Sequence, residues 1–447
     1  MNIIAIDCGA SFIKAASLDE INASVKKELY FKTSEDFVLE LVDPEDEALP
    51  EKLRKTLSVV KKCILELSNP GEEIILGMSN EMHGFVLAND AMVPYSDYIS
   101  WQNEFTTQNY DGEISWQDYL FQQLDMEDVE RTGMPFKCGL PSCNLAYLMQ
   151  SKQIVGEHFY FFTLGDFLLS RLSGDFIPCH ETNAAATGLY DLLTGDWNWK
   201  LIEILQLQDV KFPDIVKTQY YQSVEWQGRK LVIFPAIGDQ QAALLGSGLQ
   251  NDTQLSVNMG TGGQVSRISK QCRLSDCYQT RPYFNGLYLN TVPHIPSGRA
   301  LNVFYGYIKQ IVTTFAPNVC EEELWDWILK EASKSECAEN ELMQVDMSFF
   351  SNAVTTHTLG SIQGIAESSF DVGNLFCAIY KQMAVNVIRC AGRIVEKESV
   401  IKEILFSGGV SNRHSLFQKF VMEHFDHVMK TCVQNETFLG IYRYIKM

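Results

Sequence analysis

Two short stretches of this chain, Asn2 to Ser11 (NIIAIDCGAS) and Gln254 to Gly263 (QLSVNMGTGG), carry the same pattern. Each is a β-prone apolar run that closes on a turn of small residues. Each is then followed by a second β-prone run, Phe12 to Ser17 and Gln264 to Ile268. A strand, a tight turn and a strand, occurring twice, predict two α/β lobes built on one plan rather than a single core. Turns made of Gly, Ser, Thr and Ala let backbone N–H groups approach an anion with no Cβ in the way, so each turn is a candidate phosphate cradle. At 447 residues the chain is long enough for two cores. Two cradles then imply one phosphate chain gripped in a cleft between the lobes.

Composition narrows the class. A hydrophobic fraction of 46% with 21% charged residues fits a water-soluble globular protein, and no run of eighteen or more apolar residues is available to span a membrane. The first apolar stretch has no basic flank and contains Asp7, so it reads as a buried strand and not as a secretory leader, and the cytosol is the expected compartment. Twelve cysteines with no C-x-x-C spacing predict reduced thiols. A formal net charge of −20 argues against nucleic acid and anionic membrane as partners. Any bound phosphate must therefore be neutralised locally, by turn amides, helix N-termini, Mg²⁺ and a lysine such as Lys14.

The first lobe reads as three strands within residues 2 to 33, then a helix on Leu49, Leu53, Leu57, Val60, Ile64 and Leu67 that stops at Asn69-Pro70-Gly71, then a strand from Glu73 to Met78. Phe234-Pro235 marks the expected hinge, giving lobes of 1–235 and 236–447. The second lobe is expected to open with a helix from Asp239 and to continue through strands at 254–259, 264–268 and 284–291. Helices from Arg299 to Phe315 and from Val372 to Val395 follow, and a strand at 401–406 feeds the turn Ser407-Gly408-Gly409-Val410.

Asp239 sits where a strand end meets a helix start. It has the position of an N-cap, and at a lobe junction its carboxylate could also take the proton of a hydroxyl attacking a phosphate. Asp7 ends the first strand just before the first turn, where a hydrated Mg²⁺ is usually held. The loop Met78 to Gly84 presents Glu81, Met82 and His83, and Trp101-Gln102-Asn103 pairs an aromatic face with amides of the kind that hold a sugar.

Together these residues resemble the FGGY family of carbohydrate kinases, over nearly the whole chain and in the family's order. Asp7-Cys8-Gly9-Ala10-Ser11 with Lys14 is similar to its first phosphate loop, and Met78 to Gly84 to its sugar loop. Gly238-Asp239-Gln240-Gln241 resembles its base motif, Asn258 to Gly262 its second phosphate loop, and Ser407-Gly408-Gly409 with Asn412 its adenosine loop. The resemblance implies a two-lobed actin-like (ribonuclease H-like) fold with the active site in the interdomain cleft. It also implies ATP with Mg²⁺, and in-line phosphorylation of a ketose's terminal primary hydroxyl with Asp239 as base. Asp7 would hold the metal, while Gly9, Ser11, Lys14, Gly260, Thr261, Gly262, Gly408, Gly409 and Asn412 would bind nucleotide. Met82, His83, Trp101, Asn103, Glu181 and Gln240 would bind the small-molecule sugar, and a homodimer is compatible with the family.

Within the family, Arg281 to Leu289, Thr182 to Ala185 and Gly139 to Leu148 most resemble the sedoheptulokinase group, while the catalytic motifs are shared with xylulokinases and other sugar or polyol kinases. Ala10 stands where a threonine is usual, Glu81 where a glutamine is, Asn103 where an aspartate is common, and Lys381 where an acidic residue or Gln is. These departures motivate a second reading, a non-catalytic sugar- or nucleotide-binding regulator on the same fold.

Overall fold

The computed structural model describes residues 2–34, 44–217, 220–335, 343–396, 400–425, 428–432 and 436–447. The chain forms two compact units. The first comprises Met1–Gly248, Lys270–Tyr288 and Asn435–Met447, and the second Leu249–Ser269 and Leu289–Gln434.

In the first unit, β1 (Asn2–Cys8) buries Ile3, Ile4, Ala5 and Ile6 completely, which an inner strand covered on both faces requires. It pairs antiparallel with β2 (Phe12–Leu18), which pairs antiparallel with β3 (Val25–Lys32). Helix α1 (Glu51–Glu66) lays Leu53, Leu57, Val60 and Ile64 on this core, each worth about 1.5–3 kcal/mol. No side chain of its own caps α1. Asp97 instead accepts the Lys52 and Leu53 amides at 2.9 and 3.1 Å, covering two donors a helix start leaves open.

The chain returns as β4 (Glu73–Asn80), parallel to β1. The short helix α2 (Glu181–Ala185) is followed by the hairpin of β5 (Gln222–Trp226) and β6 (Arg229–Ile233). β6 and then β7 (Ile237–Gly238) pair parallel with β4. The sheet order is β5-β6-β4-β1-β2-β3.

The first unit runs past the expected hinge at Phe234-Pro235. Because β7 pairs with β4, α3 (Asp239–Ser247) stays with this unit, where the helix Glu436–Ile445 packs against it. Gly246 and Gly440 set how close those two helices come. A Cβ on Gly246 would lie 1.6 Å from the Glu436 carbonyl oxygen, and one on Gly440 would lie 1.8 Å from that of Ala242.

The second unit repeats the opening device. β8 (Gln254–Met259) turns into antiparallel β9 (Gly263–Ser269), as β1 turns into β2. It pairs parallel with β11 (Glu403–Ser407), as β1 pairs with β4. β10 (Leu287–Ile295) and β12 (Met429–Cys432) flank this core in the order β10-β9-β8-β11-β12. Helices α4 (Gly298–Phe315), α5 (Glu321–Lys334) and α6 (Val372–Ile394) follow, of which α4 and α6 are the expected ones and α5 is not, and β11 feeds the short helix α7 (Gly409–Arg413). Among the described residues no disulfide forms, and no helix is long and apolar enough to cross a membrane.

Candidate active site

Three carboxylates gather at the ends of parallel strands in the first unit. Asp7 closes β1, and its register partners are Ser79 on β4 and Lys14 on β2. Ser79 Oγ donates to Asp7 Oδ1 at 2.8 Å. Burial raises the Asp7 pKa, against the pull of that bond and of the Lys14 charge. Glu81 follows β4, with its amide donating to the Cys8 carbonyl oxygen at 2.8 Å and its carboxylate 3.9 Å from Lys52 Nζ. Burial raises its pKa too, opposed by Lys52.

Asp239 is the first residue of α3 and not its cap, which is Gly238. Its Oδ1 accepts the Gln240 amide at 2.7 Å. Burial pushes the carboxyl up to about 7, and the Asp7 and Glu81 charges add to the rise while the Gln240 amide and Arg281 oppose it. The result is an acid poised near neutrality, which is where a general base works best.

Two buried asparagines and a threonine fix the loops that carry these acids. Asn183 Nδ2 donates to Asn80 Oδ1 and to the Ala236 carbonyl oxygen, both at 2.9 Å, and Thr182 Oγ1 accepts the Gly238 amide at 3.1 Å. Asn80 in turn donates to the Glu81 carbonyl oxygen at 2.7 Å. Helix α2 thus ties the end of β4 to the start of α3. Met82 packs on Gly238, where a Cβ would meet its sulfur at 2.8 Å.

Arg281 reaches the same place from the strand Gln279–Tyr283. Its Nη1 donates to Gln240 Oε1 at 2.8 Å and lies 3.6 Å from Met82 Sδ. Burial lowers its pKa to about 10, and Asp239 opposes that fall. Asp7, Glu81, Met82, Asp239 and Gln240 are therefore one cluster, with Arg281 as a member the sequence reading assigned no role.

The remaining expected sugar residues lie in different settings. His83 adopts a positive φ of 65° and its Nδ1 donates to the Ala186 carbonyl oxygen at 2.7 Å. Trp101 is exposed, and Asn103 turns its Oδ1 back to accept the Ser100 amide at 2.9 Å, so part of that amide closes a local turn. Glu181 lines a separate cavity of about 630 Å³ with Tyr190, Lys217, Phe284 and Tyr288. There it accepts from the Tyr190 hydroxyl at 3.0 Å, and burial lifts it to about 7 against that bond and the Lys217 charge.

The glycine turns are ordered by their own amides. Gly9 donates to the Phe12 carbonyl oxygen at 3.0 Å, so in this turn Gly9 offers a missing Cβ, not a donor. Gly260 likewise donates to the Gly262 carbonyl oxygen at 3.1 Å. In the second unit the turns of β8 and β11 meet. Asn258 donates to Ser407 Oγ at 2.9 Å, and Gly408, at a φ of 86°, lies so near that a Cβ would be 2.5 Å from the Met259 carbonyl oxygen. Thr261, Gly262, Gly409 and Asn412 sit on the turns and the short helix so joined, and Asn412 donates its amide to the Gly408 carbonyl oxygen at 2.9 Å.

Residues 2–246, more than half of the chain, match the model of the N-terminal domain of the FGGY family of carbohydrate kinases. The chain belongs to the FGGY family of carbohydrate kinases. Relatives of this FGGY chain include a glycerol kinase of a Marinomonas species, 26% identical over 58% of this chain and 53% of that protein. A xylulose kinase of Lactococcus lactis is 25% identical over 65% of this chain and 57% of that protein. The chain thus spans about half the length of the curated relatives it matches. In structure it superposes on the ligand-bound xylulose kinase of Lactobacillus acidophilus with a TM-score of 0.80 at 16% identity, covering 100% of this chain and 89% of that one. The α/β two-domain FGGY fold is therefore shared.

Proposed function

We propose that this FGGY chain is an ATP-dependent kinase that phosphorylates a primary hydroxyl of a polyhydroxylated acceptor. The observation that carries the reading is Asp239, a buried carboxyl lifted to about 7 beside Gln240 and Arg281. In the reaction the acceptor oxygen attacks the γ-phosphorus of ATP, the bond to the β-phosphate oxygen breaks, ADP leaves, and Asp239 takes the hydroxyl proton. Gln240, with Arg281 behind it, orients the acceptor. The regulator reading has less support, because binding alone gives no reason to hold three carboxylates at mutual cost.

The Asp7 carboxylate suits Mg²⁺, a hard cation that takes oxygen ligands, held through its water shell, and a cation there would relieve the repulsion that Asp7 and Glu81 exert on Asp239. Asp7 would hold it, and when bound it would neutralise charge on the phosphates.

The sequence resemblance adds a finer reading, in which the acceptor is a ketose and sedoheptulose leads among neutral ketoses. A site that hydrogen-bonds the extra hydroxyls of a seven-carbon chain leaves polar groups unpaired with a five-carbon one. Coupled ADP release over a panel of ketoses, aldoses and polyols tests both levels. Sedoheptulose is expected to exceed D-xylulose in kcat/KM by at least about tenfold. A D-xylulose lead sinks the sedoheptulose reading, and acceptor-independent rates throughout sink the kinase.

Ala10, exposed in the first turn, has no hydroxyl to offer a phosphate. Ala10→Thr is expected to tighten MgATP binding by roughly tenfold, the lower end of a hydrogen bond to a charged acceptor. Titration calorimetry on both proteins decides it, and equal or weaker binding by the variant would place Ala10 away from the phosphates.

A further inference from the structure

The segment from Gly133 to Gly139 runs beside the strand that carries Arg281. The Thr280 amide donates to the Gly133 carbonyl oxygen at 3.0 Å, and a Cβ on Gly139 would come within 2.5 Å of the Trp101 carbonyl oxygen. Lys137 is thereby carried on a segment held at one end to Thr280, the neighbour of Arg281, and at the other to Trp101. The Arg281 guanidinium is buried, and both of its oxygen partners are neutral. Nη1 donates to Gln240 Oε1 at 2.8 Å and Nη2 to Gln279 Oε1 at 2.7 Å, while Nε–H has no acceptor.

Lys137 is half-buried. Among the described residues its ammonium makes no ion pair or hydrogen bond, and no carboxylate lies within ion-pair distance of Arg281. Burial, and then the charge of Arg281, lower the Lys137 pKa. Buried arginines are ordinarily paired, and like charges set close together in a poorly solvated place work against folding. Here two cations adjoin with donors left over.

We propose that Arg281 and Lys137 form an anion subsite for the acceptor, which is a polyol bearing a carboxylate or phosphate at the end remote from the hydroxyl that is phosphorylated. This rests on the phosphoryl-transfer reading above. The polarity of the site gives the direction. Arg281 meets the site through Gln240, the residue that follows the base, so an anion held by the guanidinium lies beyond Gln240 from Asp239. A planar fork with an open Nε–H suits the oxygens of either anion, and a flexible ammonium adds a point charge.

Titration calorimetry on the whole protein with D-gluconate, D-fructose 1-phosphate, D-fructose and sedoheptulose tests the subsite without requiring turnover. At least one of the two anions is expected to bind tenfold or more tightly than D-fructose, and which one does so distinguishes carboxylate from phosphate. Lys137→Gln should cut that anion-to-neutral ratio by tenfold or more. Lys137 lies on a half-buried loop, so this variant serves even where Arg281→Gln fails to fold. Neutral sugars binding as tightly as both anions, or a ratio that Lys137→Gln does not move, would overturn the subsite. ADP release with the same four compounds separates the two readings. Anion preference without phosphoryl transfer overturns the kinase and upholds the subsite, while turnover confined to the neutral sugars does the reverse.

Discussion

Asp239→Asn lowers kcat by about two to four powers of ten, the usual worth of a positioned general base. The amide keeps an oxygen for the Gln240 N–H, so α3 retains its first-turn contact, and the loss belongs to proton transfer and not to folding. The same variant gains stability at alkaline pH. Asp239 titrates at about 7 in the folded chain and near about 3.9 in an unfolded one. The folded state therefore binds the proton more tightly, and this carboxyl's contribution is full below about pH 4 and lost as pH rises through 7. Asparagine has no such loss. Thermal melts should show Asp239→Asn more stable than the parent at pH 8, by about 2–4 °C for each kcal/mol recovered, with the difference closing at pH 4. A kcat within threefold of the parent, with the fold intact, would remove Asp239 from the chemistry.

Gly440→Ala costs the first unit roughly 3 kcal/mol or more. The added Cβ falls 1.8 Å from the Ala242 carbonyl oxygen, and the mirror change at Gly246 falls 1.6 Å from that of Glu436 and 2.7 Å from the Gly440 nitrogen. Those obstacles are backbone, so no rotamer change relieves them and α3 must move away from the helix Glu436–Ile445. Overpacking of ordinary side chains costs about 1–3 kcal/mol, and a backbone clash lies at or beyond the upper end. Because α3 begins with Asp239, surviving Gly440→Ala protein should also lose activity. Gly306→Ala is the control: it is helical, with nothing near its missing Cβ, and should stabilise by up to about 1 kcal/mol. Urea melts compare the two, and equal midpoints would mean that the helices are not held by this close approach.

The parts legible in the sequence were those written in local pattern. Apolar runs ending in Gly-rich turns gave β1, β2, β8 and β9, and the spacing of Leu53, Leu57, Val60 and Ile64 gave α1. Asp7 and Asp239 stood out because each is an acid at the end of an apolar strand. Long-range pairing was not legible. The first compact unit carries on past Pro235 to Gly248 because β7 joins β4 across more than 150 residues of chain, and nothing local announces that partner.

Arg281 was visible as a lone charge in an apolar and aromatic run, yet its role depends on meeting Gln240 and Met82, which only the tertiary structure supplies. Asn183 stood in the sequence only as part of the stretch Thr182 to Ala185, and its bridge from Asn80 to Ala236 could not be read from it. Glu181 shows how far neighbours in sequence can part in space. It neighbours Thr182, which holds Gly238, yet its own side chain lines a different cavity.

Acceptor-dependent ADP release, measured from pH 5 to 9 across neutral and anionic polyols, tests the central claim most directly. The account predicts release that requires both ATP and a polyol, with kcat/KM rising through an apparent pKa near 7 as Asp239 loses its proton. A polyol-independent rate, or a profile already flat from pH 5 upward, would contradict it.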